Sequence, residues 1–129
     1  MREITRHQST ILVVEDTEAD RIIVVTLLKA EGHVVLEAID GHAGLESLRK
    51  ERPDLVIIDV NMPGMDGLSV IKEMRADSSI ADIPVIFCTA WYDEYVTEQA
   101  IRSFGYPVIS KPISFEHLVK TVDAVLGLK

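Results

Sequence analysis

Four short apolar segments of this sequence each lead into residues that can do chemistry. Glu15 and Asp16 follow ILVV, Asp59 follows LVII, Thr89 follows VIFC, and Lys111 follows VIS. If the four segments are neighbouring strands of a parallel sheet, these side chains meet at one edge, because sites form where the carboxyl ends of such strands open into loops. Three carboxylates at one edge repel each other, so they require a cation, or one of them must bind a proton.

Oxygen ligands without histidine or cysteine favour a hard divalent cation. A few carboxylates with water suit Mg²⁺, which also shares its coordination shell with phosphate oxygens. Thr89 can donate to a phosphoryl oxygen, and Lys111 can pair with its charge. Together the residues predict phosphoryl transfer with Asp59 as the nucleophile. Each residue alone has a plainer interpretation, since Asp16 could cap a helix and Lys111 could be a surface charge.

The elements that must position these residues alternate along the chain. Strands are expected at Ile11–Val14, His33–Glu37, Leu55–Ile58, Val85–Cys88 and Tyr106–Ile109; helices are expected at Thr17–Glu31, His42–Glu51, Leu68–Ala76, Tyr92–Phe104 and after the N-cap Ser114. The run Ile22–Val25 favours a strand by propensity, but the length of its segment favours a crossover helix. The alternation predicts an α/β fold, a flavodoxin-like (βα)5 doubly wound parallel sheet with strand order 2-1-3-4-5.

Composition narrows the class of protein. The 129 residues suit one domain, with residues 1–8 as a flexible polar tail and residues 9–129 as the folded unit. A net charge of −8 argues against a nucleic-acid surface. No apolar run has the length of a membrane span, and the start lacks a signal-peptide core. The single cysteine, Cys88, is expected to be buried and inert, and a cytoplasmic location is expected.

Four motifs, ILVVED, DLVIIDVNMPGMDG, PVIFCTA and VISKP, resemble those of the receiver domains of response regulators in two-component signal transduction. The resemblance covers residues 9–128 and includes the turn with Pro63, Gly64 and Gly67 and a cis peptide bond before Pro112. It implies that Asp59 is the phosphoacceptor. Mg²⁺ would be bound by Asp16, Asp59 and the backbone carbonyl of Asn61, with Glu15 acting through water. Thr89 and Lys111 would contact the phosphoryl group.

The resemblance also implies the partners. A phosphohistidine on a sensor histidine kinase or a histidine phosphotransfer protein would be the donor, and a downstream protein target would contact the face of helix 4, strand 5 and helix 5. The chain would then be a switch that assists its own phosphorylation and dephosphorylation, and not an enzyme with multiple turnovers. Neither a nucleic acid nor a membrane is expected as a partner.

Two positions depart from most receivers. Val108 stands three residues before the lysine, where an aromatic switch residue is usual, so the chain resembles a subgroup that lacks this aromatic. Tyr106 is interpreted either as a packed core tyrosine or as a substitute for it. Trp91 is interpreted as a shield of the phosphoryl group against water or as a surface contact.

Three rival functions remain open on the sequence. The chain could be a pseudo-receiver, which is an interaction module that is never phosphorylated. A Mg²⁺-dependent phosphatase of the haloacid dehalogenase type would require an aspartate at the position of Asn61. A flavin or nucleotide module would require a glycine- or hydroxyl-rich loop after the first strand, where this chain has four acids within residues 15–20.

Overall fold

Five strands alternate with five helices in the computed structural model, which describes residues 8–90 and 95–128. The strands are β1 (Thr10–Val14), β2 (Val34–Ala38), β3 (Leu55–Asp59), β4 (Val85–Thr89) and β5 (Val108–Ser110); the helices are α1 (Glu18–Ala30), α2 (Gly41–Glu51), α3 (Gly67–Ala76), α4 (Tyr95–Phe104) and α5 (Phe115–Leu126). Every expected element is present, and the bounds within the described residues differ from the expected ones by at most two residues. Most of the expected N-terminal tail and the expected start of α4 lie outside the described residues.

The strands form one parallel sheet in the order β2-β1-β3-β4-β5. This arrangement confirms the predicted flavodoxin-like doubly wound sheet. The register pairs Val14 with Ile58 and Asp59 with Cys88, so the carboxyl ends of β1, β3 and β4 lie at about the same level. The residues that follow these strands therefore emerge at one edge of the sheet.

Helices cover both faces of the sheet, which explains the continuous apolar runs. Along β1, for example, Leu12 and Val14 pack in the core on the side of α2 and α3, whereas Ile11 and Val13 pack in the core beneath α1 and α5. A strand buried on both faces has to be apolar at every position. Each fully buried side chain of this size contributes about 1.5–3 kcal/mol relative to exposure. Within the described residues, no helix is both long enough and apolar enough to cross a bilayer.

The chain turns closely beneath the end of β3. Gly67, the first residue of α3, donates its N–H to the carbonyl of Val60 at 3.1 Å. A Cβ at this position would overlap the carbonyl oxygen of Asp59. The preceding Gly64 has a φ of +75°, a conformation that glycine adopts with little strain. The two glycines therefore allow α3 to begin against the backbone that carries the Asp59 carboxylate.

Replacement of Gly67 by alanine should lower the free energy of unfolding by roughly 1–3 kcal/mol, the usual range for overpacking. A glycine-to-alanine change within a helix ordinarily stabilises it, so the overlap with Asp59 reverses the sign. Urea denaturation of Gly67→Ala measures the effect. The matched control is Ser69→Ala on the exposed side of the same helix, which should change the free energy of unfolding by no more than about 0.5 kcal/mol. A neutral or stabilising Gly67→Ala would contradict this account of the turn.

Candidate functional site

Three of the predicted acids come together at the carboxyl edge of the sheet. Glu15 and Asp16 follow β1, and Asp59 ends β3, the next strand in the sheet. One carboxylate oxygen from each lies within 4.8 Å of the others. Glu15 and Asp59 are each only 4% exposed, and Asp16 is the more exposed member. The structure thus assembles the acidic cluster that the order of the motifs predicts.

The Lys111 ammonium binds two acids of this cluster and one more. Its Nζ lies 2.8 Å from Glu15 Oε1, 3.1 Å from Asp59 Oδ2 and 2.9 Å from Asp20 Oδ2. A lysine ammonium has three N–H donors, so the three acceptors satisfy it fully. Burial alone would lower the pKa of Lys111, but the hydrogen bonds with Glu15 and Asp20 and the charge of Asp59 raise it above its ordinary value. Lys111 therefore stays charged at any pH at which the protein works.

Asp20 was not among the predicted site residues. It lies in the first turn of α1, four residues after Asp16. That turn begins just after the end of β1, so the position of Asp20 in the first turn is the feature of the sequence that could have identified it. A carboxylate so close to the strand end faces the same edge as Glu15 and Asp59.

Asp16 has no hydrogen bond or ion pair with any residue in the ranges 8–90 and 95–128. Among these residues the site thus holds four carboxylates against one ammonium. Burial raises the pKa of Glu15 to about 7, although hydrogen bonds with Lys111 and with the N–H of Thr17 oppose the shift. Near neutral pH Glu15 is therefore often protonated, which is one of the two ways to relieve the repulsion in such a cluster.

Asn61 connects the predicted phosphoacceptor to the predicted switch hydroxyl. Its backbone N–H donates to Asp59 Oδ1 at 3.1 Å, and its side-chain Nδ2 donates to Thr89 Oγ1 at 3.0 Å. Thr89 is 1% exposed, and its hydroxyl lies 3.3 Å from the carbonyl oxygen of Ala90, to which it donates. The sequence predicted a role for the Asn61 carbonyl only. The side-chain contact depends on the path of the loop after β3, which no spacing rule specifies.

The backbone around Lys111 is tied to the neighbouring strand. The Lys111 N–H donates to the carbonyl of Thr89 at 2.9 Å, and the peptide bond between Lys111 and Pro112 is cis, as the resemblance implies. Ser114 then caps α5 by accepting from the N–H of His117 at 3.3 Å. These contacts place the root of the lysine side chain beside the end of β4.

Arg21 is a further residue that the sequence did not single out. Its Nη1 donates to the backbone carbonyl of Glu15 at 2.8 Å, and its Nε lies 3.3 Å from Glu37 Oε1. The guanidinium of this α1 residue therefore connects the end of β1 with a side chain of β2. This contact helps to fix the direction in which the Glu15–Asp16 pair leaves the sheet.

The position of the missing aromatic is filled by an aliphatic core contact. Val108 packs, partly buried, against the core on the side of α2 and α3. Tyr106 lies against Phe104, with ring centroids 6.3 Å apart and planes nearly parallel, and meets Phe87 edge-on at 6.0 Å. These contacts support the interpretation of Tyr106 as a packed tyrosine. Trp91, the hypothetical shield, lies outside the described residues.

The donor set fits a hard divalent cation. All three cluster residues offer carboxylate oxygens, and Asp16 has no competing partner within the described ranges. Cys88, the one soft ligand close in sequence to Thr89, is buried, and burial raises the pKa of its thiol to about 12. The Asp59 carboxylate accepts from the Lys111 ammonium on Oδ2 and from the Asn61 N–H on Oδ1, and the Asn61 side chain also donates to the Thr89 hydroxyl. Beside a bound cation, a carboxylate in this setting could act as a nucleophile toward an anionic group.

Comparisons with known proteins agree with this geometry. The response regulator receiver domain family matches residues 11–123. Protein PilH of Pseudomonas aeruginosa is 34% identical over 117 residues, which are 91% of this chain and 97% of that protein. The polar-differentiation response regulator DivK of Brucella anthropi is 34% identical over 119 residues, 92% and 96% of the two chains. The solved structure of chemotaxis protein CheY4 of Vibrio cholerae has a TM-score of 0.83 at 31% identity and covers 93% of this chain and 100% of that one.

Removal of one charge from the acidic cluster should stabilise the protein when no divalent cation is present. Asp16→Asn should raise the free energy of unfolding by about 1 kcal/mol at pH 8 and low salt, because the wild-type carboxylate is repelled by two buried neighbours and paired with none within the described residues. Denaturation with a chelator in the buffer measures this change.

The control is Glu46→Gln, which removes the same charge from an exposed position on α2 and should change stability by no more than about 0.5 kcal/mol. High salt should reduce the gain from Asp16→Asn, because it screens the repulsion. A destabilising Asp16→Asn would show that the cluster is not under electrostatic strain.

Proposed function

This chain belongs to the response regulator receiver domain family, and on that premise we propose that it is a phosphorylation-controlled switch whose phosphoacceptor is Asp59. The family places it in two-component signalling. The observation that carries the proposal is the contact of Lys111 with an Asp59 carboxylate that is buried inside an acidic cluster. The phosphoryl donor would be a phosphohistidine on a sensor histidine kinase or on a histidine phosphotransfer protein.

The metal proposed for this site is Mg²⁺, held by Asp16 and Asp59 with the backbone carbonyl of Asn61, and by Glu15 through water. The oxygen-only donor set supports this choice, as does the Asp16 carboxylate, which has no partner among the residues that the structure describes. When bound, Mg²⁺ supplies positive charge that offsets the repulsion between the carboxylates and the incoming phosphoryl oxygens.

The transfer itself requires little beyond positioning. An Asp59 carboxylate oxygen attacks the phosphorus, the P–N bond to the donor imidazole breaks, and the imidazole nitrogen leaves with the bonding electrons. Lys111 already contacts Asp59 Oδ2, so its ammonium stands where negative charge accumulates. Thr89 can donate its hydroxyl hydrogen to a phosphoryl oxygen while it still accepts from the Asn61 amide. Later, a water molecule attacks the phosphorus, the P–O bond to Asp59 breaks, and inorganic phosphate leaves, which restores the Asp59 carboxylate.

The signal is proposed to leave through the face formed by α4, β5 and α5. Thr89 ends β4 and Lys111 follows β5, and the Lys111 N–H is bonded to the Thr89 carbonyl. A shift of either side chain toward new phosphoryl oxygens would bias two arrangements of this edge that exist before phosphorylation. A downstream protein that prefers one arrangement would then report the phosphorylation state.

The geometry gives no support to the phosphatase alternative. That mechanism uses a carboxylic acid two residues after the nucleophile to protonate the leaving group. Asn61 occupies the position, and its side-chain amide is engaged as a donor to Thr89. An amide in this role orients the hydroxyl and supplies no proton.

Phosphorylation should depend on Asp59 and not on Asp54, the acid that directly precedes β3. With Mg²⁺ and a small acyl phosphate, the wild type should gain the mass of one phosphoryl group, and Asp59→Asn should gain none. The matched control is Asp54→Asn directly before the start of β3, where Asp54 Oδ2 accepts from the N–H of Thr10. This control should be phosphorylated as the wild type is. Intact-protein mass spectrometry measures all three, and an adduct on Asp59→Asn would refute the assignment.

Mg²⁺ affinity should rise with pH through the titration of Glu15. The Glu15 carboxyl, which has a pKa of about 7, must lose its proton before it can contribute to Mg²⁺ binding. Binding should therefore be weaker at pH 6 than at pH 8, by about tenfold for a site that requires the deprotonated form. Isothermal titration calorimetry at the two pH values measures the ratio.

Glu15→Gln removes the titrating group and is the control for this effect. Its Mg²⁺ affinity should be lower than that of the wild type at pH 8 but nearly independent of pH between 6 and 8. If the wild type bound Mg²⁺ equally well at both pH values, Glu15 would not take part in metal binding.

A further inference from the structure

The three carboxylates around Lys111 are not equivalent with respect to the acidic cluster. Two of them, Glu15 and Asp59, are members of the cluster that could hold a cation, whereas Asp20 is not. Asp20 lies on α1, and its side chain is 33% exposed, against 5% for the side chains of Glu15 and Asp59. Lys111 is thus bonded both to the candidate metal site and to a carboxylate beside it.

A divalent cation and Lys111 would share two carboxylates, those of Glu15 and Asp59. A cation that engages Glu15 and Asp59 draws on the carboxylates that the ammonium contacts at 2.8 and 3.1 Å. The Lys111 side chain is only 14% exposed, so an ammonium that loses both contacts is poorly hydrated by water. A buried charge left without a partner carries a large penalty, and that penalty opposes cation binding.

We propose that Asp20 is a positioning residue that retains the Lys111 ammonium at the start of α1 when a divalent cation occupies Glu15, Asp16 and Asp59. The 2.9 Å contact between Asp20 Oδ2 and Lys111 Nζ uses no carboxylate of the cation site, so the ammonium keeps one charged acceptor when the cation is bound. The same contact holds Lys111 beside Asp59, within reach of a phosphoryl group that is added there. This inference rests on the proposed function, because it assumes the cation site.

Glu18 provides a matched comparison for the effect of charge alone. It lies in the same first turn of α1, is exposed, and has no ion pair with any other described residue. Glu18→Gln and Asp20→Asn each remove one negative charge from this turn without a change of shape. Only the second removes a charged acceptor from Lys111.

Calorimetric titration with Mg²⁺ at pH 8 and fixed ionic strength tests the inference. Asp20→Asn should raise the dissociation constant about fivefold or more, because a charge-assisted hydrogen bond is replaced by a weaker neutral one. Glu18→Gln should raise it less than about twofold, since the effect of an exposed charge is screened. Asp20→Glu keeps the charge and should lie closer to the wild type than Asp20→Asn does. Equal effects of Asp20→Asn and Glu18→Gln would overturn the inference.

A double-mutant cycle with Lys111→Met shows whether Asp20 acts through the lysine. In the Lys111→Met background the effect of Asp20→Asn should fall to that of Glu18→Gln, because the ammonium that it holds is gone. An undiminished effect would mean that Asp20 acts on the cation directly, and it would overturn the positioning role.

Mg²⁺ binding by the wild type separates a failure of the proposed function from a failure of the role of Asp20. Absence of Mg²⁺ binding by the wild type would reject the proposed function together with the inference. Normal binding by the wild type, with no special effect of Asp20→Asn, would reject the inference alone. Circular dichroism of each variant confirms that the comparison is made between folded proteins.

Discussion

The interaction on which the site depends is the contact of one ammonium with three carboxylates at the ends of the strands. Lys111 holds Glu15, Asp20 and Asp59 at distances of 2.8–3.1 Å, in a place where Asp16 adds a fourth negative charge without a partner in the described ranges. The ammonium therefore holds these carboxylates together, but its single positive charge does not balance their negative charges. A hard cation or an additional proton offsets the excess negative charge. The raised pKa of Glu15 means that this carboxylate binds the proton when no cation is bound.

The parallel sheet makes this arrangement possible because it converts distance along the chain into proximity in space. Asp59 and Lys111 are 52 residues apart, yet each directly follows or ends a strand of one sheet, and so they meet at one edge. The core fixes the strands by burying both faces, and the overlap that a Cβ at Gly67 would make with the Asp59 carbonyl shows how closely α3 lies against the backbone of Asp59. A close-packed core of this kind holds the strand ends, and with them the side chains of the proposed site, in one arrangement.

The fold could be predicted from the sequence because its signals are repeated. The run Ile22–Val25 tested this most severely: propensity favoured a strand, but the residues belong to α1, where Val24 and Val25 are buried and Ile22 and Ile23 are largely exposed. Burial on one helical face decided the outcome over local preference. The gathering of Glu15, Asp16 and Asp59 was predictable for a similar reason, since the end of a strand is a position that a sequence pattern specifies.

The contacts that escaped prediction are those that depend on the path of a loop or on the rotation of a helix. Asp20 faces Lys111 because of where α1 begins, and the Asn61 amide meets Thr89 because of how the chain leaves β3. The second contact bears on how a receiver without the switch aromatic could work. The Thr89 hydroxyl accepts a hydrogen bond from the Asn61 amide. Phe87, two residues earlier on β4, packs against Phe104 of α4 and against Tyr106. In the proposed mechanism, a hydroxyl that moves toward a phosphoryl group pulls on a strand whose aromatic ring already contacts α4. The route to the α4–β5–α5 face then runs through the packing of β4, and a rotating aromatic side chain is not required for it.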